Sequence, residues 1–133
     1  DLGSLPVVAV VVALTAVSAV RRRGRVDQAI ALVGGFVIVV ALVHMTKDFW
    51  DRPRPTGRLQ NVVGTSYPSG HAAYAATYVA CAFVVGGRRL LAAAVGVTMA
   101  IGLSRLYLHV HFLTDVVGGY ALTIAVFALL LRP

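Results

Sequence analysis

The sequence is poor in charge, and above all in negative charge. Only 13% of its 133 residues are charged, five are acidic, and none is glutamate. A soluble domain usually carries about 25% charged residues, so this composition excludes an ordinary water-exposed surface. Cysteine is also scarce, since Cys81 is the only one, and this excludes an intrachain disulfide.

Apolar residues take the place of the missing charge. They make up 59% of the chain, the mean hydropathy is +0.84, and several apolar runs approach the roughly 20 residues that cross a bilayer as a helix. The sequence therefore predicts a single all-α domain, 1–133, folded as a polytopic membrane bundle. We expect five transmembrane helices, at residues 5–20, 28–47, 69–85, 90–108 and 112–131, with an irregular loop at 48–68.

The formal net charge is nonetheless +7, because twelve basic residues lie in small groups between the apolar runs. Such groups do not form the continuous basic face of a nucleic-acid-binding protein, so nucleic acid is excluded as a partner. Basic residues are enriched in cytoplasmic turns, which assigns one group to the cytoplasm: Arg21, Arg22, Arg23, Arg25, Arg88, Arg89 and Arg132. The other group then faces away from the cytoplasm: Lys47, Arg52, Arg54, Arg58 and Arg105.

His111 and Asp115 lie four residues apart at the predicted start of the last helix, so their side chains share one face and can meet. A carboxylate that accepts a hydrogen bond from one imidazole nitrogen leaves the other nitrogen free as a nucleophile. The same spacing is also typical of a buried polar pair that joins membrane helices. Arg105 favours the first interpretation, because a turn before His111 brings this cation to the same membrane surface. His109 faces elsewhere and is interpreted as structural.

The third predicted helix begins with Ser69, Gly70 and His71. Serine is a good N-cap, glycine allows a ligand close to the backbone, and the free amides of a helix start attract an anion. A capped helix start alone is the other interpretation, but it needs no imidazole, whereas a phosphate ester needs a proton donor for its leaving oxygen. Lys47 and Arg54, which come before this helix, offer the cations that bind phosphate. These residue types together predict a phosphate site.

Three segments with these residues resemble the signature motifs of the type 2 phosphatidic acid phosphatase (PAP2) superfamily, which includes membrane lipid phosphatases and vanadium haloperoxidases. The segments are Lys47-x6-Arg54-Pro55, Pro68-Ser69-Gly70-His71 and Ser104-Arg105-x5-His111-x3-Asp115. The family spacing selects Arg54 over its neighbour Arg52. It likewise selects His111 over His109. Membrane members of the family usually have six spanning helices, so the resemblance implies an N-terminally truncated domain whose first helix would precede Asp1.

The resemblance also implies a role for each matching residue. His111 would form a phosphohistidine, Asp115 would orient it, and His71 would protonate the leaving group. The phosphate oxygens would be held by Lys47, Arg54, Ser69, Gly70 and Arg105. Such a site requires no metal and no cofactor.

The sequence therefore predicts a metal-independent phosphatase for a lipid phosphate or pyrophosphate, embedded in a bacterial-type plasma membrane with its site on the non-cytoplasmic side. Candidate substrates are undecaprenyl pyrophosphate, phosphatidylglycerol phosphate and phosphatidic acid. One alternative is a vanadate-dependent haloperoxidase, which is typically large and soluble, and another is a module that binds or transports a lipid phosphate without cleaving it. A metal hydrolase built on His109, His111 and Asp115 would need further ligands, which the chain scarcely offers.

Overall fold

A computed structural model describes residues 1–131 of the chain. Within this range there are five α-helices: α1 (Leu5–Arg23), α2 (Val26–Trp50), α3 (Gly70–Val85), α4 (Arg88–Tyr107) and α5 (Leu113–Leu130). The prediction of an all-α bundle with five helices is confirmed, and each predicted boundary lies within about three residues of the observed one. Arg132, which the sequence assigned to the cytoplasmic group, lies outside the described residues.

The outer surface of the bundle is suited to lipid. The helices α1, α2, α4 and α5 are long and apolar enough to cross a membrane. Large apolar side chains point outward on all sides, with Leu14 66% exposed, Ile30 67% and Ile124 64%. A continuous apolar surface of this kind is stable in a bilayer and not in water. The chain is therefore an integral membrane protein.

The shorter helix α3 lies at the centre and packs against all four other helices. It has 16 residues, which corresponds to about 24 Å. Most of its buried residues are alanines, so neighbouring helices approach its backbone closely. Two threonines use this proximity: Thr98 of α4 donates a hydrogen bond to the Ala75 carbonyl over 2.9 Å, and Thr123 of α5 donates to the Ala73 carbonyl over 2.8 Å. These bonds hold α4 and α5 on α3.

Gly119 allows α5 to cross the start of α3. A Cβ atom at this position would lie 2.7 Å from the Ser69 carbonyl oxygen and 3.0 Å from the Ala73 nitrogen. Both are backbone atoms, which cannot turn aside as the end of a flexible side chain can. The absence of a side chain at Gly119 therefore keeps the first half of α5 against the first turn of α3.

The connections between helices lie at two opposite ends of the bundle. The α1–α2 and α3–α4 turns share one end, where Gly86 lies beside the Arg23 guanidinium. At the other end, residues 51–69 contact the α4–α5 turn, and the Leu59 amide donates to the Leu108 carbonyl over 3.0 Å. The two groups of basic residues that the sequence distinguished thus belong to opposite ends, as far as the structure describes them.

Two details of these connections concern the site. The sequence predicted that α2 ends at Lys47, but the helix continues to Trp50 because no proline interrupts it before the loop. The residue after the helix, Asp51, is its C-cap and has a left-handed φ of 39°. The predicted turn before His111 is present, and His109 reverses the chain there with a φ of 51°.

We expect the Gly119→Ala variant to lose about 1–3 kcal/mol of stability, because the added methyl group overpacks a backbone contact. Gly96→Ala is the matched control, since a Cβ at Gly96 meets nothing within 4 Å and alanine stabilises a helix by about 0.5–1 kcal/mol relative to glycine. Thermal unfolding in detergent, followed by the fluorescence of Trp50, measures both. Equal stability of the two variants would contradict the close approach of α5 to α3.

Candidate active site

His111 lies in the turn before α5, and Asp115 lies in the first turn of that helix. Their side chains meet as expected, with 3.4 Å between Nδ1 of His111 and Oδ2 of Asp115. The reason differs from the predicted one, because the two residues do not share a helical face. Instead, the chain bends at the N-cap residue Phe112, and Asp115 reaches back toward the turn.

Asp115 is completely buried and joins three segments of the chain. Its Oδ2 accepts a hydrogen bond from the Phe112 amide over 2.8 Å, which is a common way to cap a helix start. Its Oδ1 accepts from Nη1 of Arg52 over 2.8 Å, and its backbone carbonyl accepts from the Ser69 amide over 2.9 Å. A buried carboxylate is stable as an anion only with such partners. Asp115 therefore ties the loop, the start of α3 and the start of α5 together.

Arg52 and Arg54 belong to an Arg-Pro-Arg-Pro segment that runs along the start of α5. Proline fixes φ and favours an extended backbone, in which side chains two residues apart point to the same side. Arg54 places its Nη1 3.1 Å from Nε2 of His111, while Arg52 pairs with Asp115. The Arg54 guanidinium thus contacts Nε2 of the His111 imidazole. The Arg52 guanidinium contacts the Asp115 carboxylate, which faces Nδ1 on the other side of the same ring.

The sequence analysis assigned no role to Arg52. Its guanidinium also lies 4.4 Å from the centre of the Phe112 ring and donates to the Thr114 hydroxyl over 2.7 Å. The signal that could have revealed it is the repeated Arg-Pro pair, because two arginines spaced by one proline reach the same side of an extended chain.

His111 is a neutral imidazole at ordinary pH. Burial lowers the pKa of His111 below its usual value, and the positive charge of Arg54 lowers it further, against the opposite effect of Asp115. Burial and the nearby Arg58 also lower the pKa of Arg54, yet a guanidinium keeps its charge in proteins. Since a guanidinium can only donate, the nitrogen that faces Arg54 must be the acceptor. The proton then lies on Nδ1, beside Asp115, and the lone pair of Nε2 accepts a hydrogen bond from Arg54.

The start of α3 supplies Ser69, Gly70 and His71. Ser69 is the N-cap, as predicted, and its Oγ accepts from the Ala72 amide over 3.4 Å. Its side chain is fully buried, so it supports the helix start from behind. Gly70 and His71 line the cavity described below, and Nε2 of His71 lies 3.1 Å from an Asp1 carboxylate oxygen.

Lys47 and Arg105 complete the group of predicted cations. The Lys47 ammonium donates to the Thr65 carbonyl over 2.8 Å, which fastens the loop to α2. Arg105 is 8% exposed, and its Nη1 lies 3.3 Å from the same Asp1 oxygen that contacts His71. Asp1 is thus a second site residue that the sequence analysis did not identify, and no motif in the sequence contains it.

One polar cavity of about 390 Å³ brings together six of the eight predicted site residues: Lys47, Arg54, Gly70, His71, Arg105 and His111. The other two, Ser69 and Asp115, stand behind its wall. A larger cavity of about 700 Å³ lies between α1 and α2, but it is lined by apolar side chains and Arg21. Of these two cavities, only the polar one is lined by several ionisable side chains. It is therefore the candidate active site.

The donor set of this cavity fits an anion. It offers three cationic side chains and two imidazoles, and guanidinium and ammonium groups are the usual partners of phosphate. Among residues 1–131 no three His, Cys, Asp or Glu side chains lie close enough to hold a metal ion. The metal-hydrolase alternative therefore gains no support from this part of the chain.

Comparison with known proteins gives consistent matches. The sequence profile of the PAP2 superfamily matches residues 28–132. Phosphatidylglycerophosphatase B of Bacillus subtilis (strain 168) is 35% identical over 99 residues, which cover 66% of this chain and 49% of that protein. The chain therefore spans about half the length of this curated relative.

A solved structure matches nearly the whole bundle. The crystal structure of the first transmembrane PAP2 type phosphatidylglycerolphosphate phosphatase from Bacillus subtilis has a TM-score of 0.86 at 28% identity. The match covers 97% of this chain and 69% of that chain. The structural likeness thus includes α1, which precedes the segment matched by the family profile.

We expect Arg52→Gln to lower the free energy of unfolding by about 2 kcal/mol, because it leaves the buried carboxylate of Asp115 without its cation. Arg58→Gln is the matched control: its exposed guanidinium donates to the Val62 carbonyl over 3.2 Å, and its loss should cost less than about 0.5 kcal/mol. Unfolding of both variants in detergent provides the comparison. Similar values for the two would show that Asp115 does not depend on Arg52.

Proposed function

The chain belongs to the PAP2 superfamily, and on this basis we propose that it is a metal-independent phosphatase that hydrolyses a lipid phosphate or pyrophosphate through a phosphohistidine. One observation carries the proposal. A neutral, buried His111 presents its unprotonated Nε2 to a cavity that also contains three cations and a second imidazole. A nucleophile and phosphate-binding cations in one cavity are the components that phosphoryl transfer requires.

In the first step the Arg54 guanidinium transfers its hydrogen bond from Nε2 of His111 to a phosphate oxygen, Nε2 forms a bond to phosphorus, and the bond from phosphorus to the leaving oxygen breaks. The proton on Nδ1 stays in place, and the carboxylate of Asp115 offsets the positive charge that the imidazole gains. The leaving oxygen receives a proton from Nε2 of His71. In the second step a water oxygen attacks phosphorus, its proton passes to His71, and the electrons of the nitrogen–phosphorus bond return to Nε2 of His111.

The cations provide the electrostatic part of catalysis. Lys47, Arg54 and Arg105 bind the non-bridging oxygens, whose charge is redistributed in the transition state. The amide of Gly70, at the start of α3, adds a donor with the favourable end of the helix dipole behind it. Ser69 caps that helix start and so keeps the amide in position. Because these groups already carry the positive charge, the reaction needs no metal ion.

A lipid is the substrate that the surroundings of the cavity favour. The cavity lies at one end of a bundle whose outer face is apolar, so a headgroup can enter while the acyl chains remain in the membrane. The names of the curated relative and of the solved structure, both from Bacillus subtilis, support phosphatidylglycerol phosphate as the first candidate. Undecaprenyl pyrophosphate and phosphatidic acid remain for comparison in the same assay.

The distribution of basic residues supports a site outside the cytoplasm of a bacterial-type plasma membrane. The end opposite the cavity holds the arginine-rich turns around Gly24 and Gly86, and such turns are retained in the cytoplasm. The cavity then opens on the non-cytoplasmic leaflet, where the lipid substrate would be taken.

Two other activities are less well supported. A vanadate-dependent haloperoxidase is typically soluble, whereas residues 1–131 of this chain contain four helices suited to cross a membrane. A module that only binds a lipid phosphate needs cations but no activated imidazole. The contacts of His111 with Arg54 and Asp115 keep Nε2 of the ring unprotonated, and this arrangement favours catalysis over binding alone.

We expect His111→Ala to abolish phosphate release from the three candidate lipids, because it removes the nucleophile. His109→Ala is the matched control, since His109 is an exposed residue two positions away, and we expect it to retain more than about a tenth of the activity. Inorganic phosphate released in mixed micelles is the measurement. The wild-type rate should survive a chelator and fall with vanadate. Loss of activity in His109→Ala with activity retained in His111→Ala would refute the assignment.

We expect single cysteines at positions 56 and 27 to react with an impermeant thiol reagent from opposite sides of the membrane. Thr56→Cys lies in the loop above the cavity, and Asp27→Cys lies at the start of α2 at the other end; both positions are exposed. Cys81→Ser provides the background. In intact cells Thr56→Cys should react and Asp27→Cys should react only after lysis. The reverse pattern would place the site in the cytoplasm.

A further inference from the structure

The segment before α1 reaches into the cavity through Asp1. One carboxylate oxygen of this residue, Oδ2, lies 3.1 Å from Nε2 of His71 and 3.3 Å from Nη1 of Arg105. Asp1 is also one of the residues that line the cavity. An anionic oxygen therefore contacts both the proposed proton donor and one of the proposed phosphate-binding cations.

This carboxylate is held in place by a short folded turn. Its other oxygen accepts a hydrogen bond from the Gly3 amide over 3.1 Å, and the Asp1 carbonyl accepts from the Ser4 amide over 3.0 Å. The next carbonyl, of Leu2, accepts from the Tyr78 hydroxyl. Gly3 is buried so tightly that a Cβ atom would lie 3.2 Å from the His71 ring. The position of the carboxylate is thus determined by the hydrogen bonds of the turn that follows Asp1 and by the contacts of that turn with α3.

Resting on the proposed function, we propose that Asp1 is a specificity-determining residue whose carboxylate takes the place of a substrate oxygen and must be displaced by it. The carboxylate occupies the position of a phosphate oxygen, since one of its oxygens lies 3.1 Å from Nε2 of His71 and 3.3 Å from Nη1 of Arg105. A phosphate that binds there must compete with an anion already tethered to the protein. Because the Asp1 side chain is 39% exposed, it can turn toward water when this happens.

The competition favours doubly charged phosphates. A phosphomonoester or pyrophosphate dianion interacts with the cavity cations more strongly than a singly charged phosphodiester does. Phosphodiester lipids surround a membrane enzyme in large excess, and the cavity lies at one end of the apolar bundle. The tethered carboxylate of Asp1 excludes these singly charged headgroups, and it also helps inorganic phosphate to leave after hydrolysis.

The test compares Asp1→Asn with the wild type and with Asp48→Asn. Asp48 is an exposed carboxylate near the end of α2 on the side of the cavity, so its loss makes the same change in net charge without touching the site. We expect Asp1→Asn to bind inorganic phosphate and vanadate about fivefold more tightly, as inhibitors of lipid hydrolysis and as stabilisers in thermal unfolding. Phosphatidylglycerol added to the micelles should inhibit Asp1→Asn and leave the wild type and Asp48→Asn unaffected.

Two further variants keep the result interpretable. Asp1→Glu retains the carboxylate and should resemble the wild type, and Asp1→Ser replaces Asp1→Asn if that variant does not fold. Unchanged or weaker phosphate binding in Asp1→Asn, or equal inhibition of all variants by phosphatidylglycerol, would overturn the proposal. Tighter binding of vanadate by Asp1→Asn in a protein that hydrolyses none of the lipids would refute the phosphatase while leaving the role of Asp1 intact.

Discussion

The arrangement of the site depends on one buried carboxylate. Asp115 has no exposed surface, and a charge in such a position is tolerated only when its partners are all in place. The partners of the carboxylate come from the Arg-Pro segment and from the turn before α5, and the backbone carbonyl of the same residue accepts from the residue that caps α3. Displacing the Arg-Pro segment would leave an unpaired anion among apolar helices. The carboxylate thus enforces the assembly of the cavity as well as the orientation of His111.

The helix packing makes this assembly possible in lipid. Apolar surface alone does not drive helices together in a bilayer, because the lipid chains are equally apolar. Close contact and hydrogen bonds between helices take over that role, through the small residues of α3 and the hydroxyls of Thr98 and Thr123. The same closeness lets the Ser69 amide reach the Asp115 carbonyl. Small residues along α3 are therefore a condition for the chemistry at its end, since a wider helix spacing would separate two of the three motifs.

The sequence predicted the helices well, because long apolar runs that end in arginines and prolines are strong signals for membrane spans. It also grouped eight motif residues, since their spacing follows a family pattern, and six of them line the cavity while Ser69 and Asp115 lie behind its wall. The sequence did not reveal the contribution of Arg52 or of Asp1 to the site. Each of these residues acts by a contact between segments that are distant in the sequence, and neither lies at a position that the family pattern contains. The meeting of His111 with Asp115 was expected on one helical face, but it arises from the bend at Phe112, which sequence periodicity does not encode.

The Arg-Pro repeat determines the distance along the chain between two arginines as well as the positive charge beside His111. Two residues of extended chain span about 6.6 Å, and the two arginines at this spacing contact different partners: Arg54 contacts Nε2 of His111 and Arg52 contacts Asp115, which faces Nδ1. Side chains along an extended chain alternate in direction, so one inserted residue would turn one of the two arginines away from the ring. The number of residues between Arg52 and Arg54 therefore decides which end of the imidazole keeps its proton and which end can react.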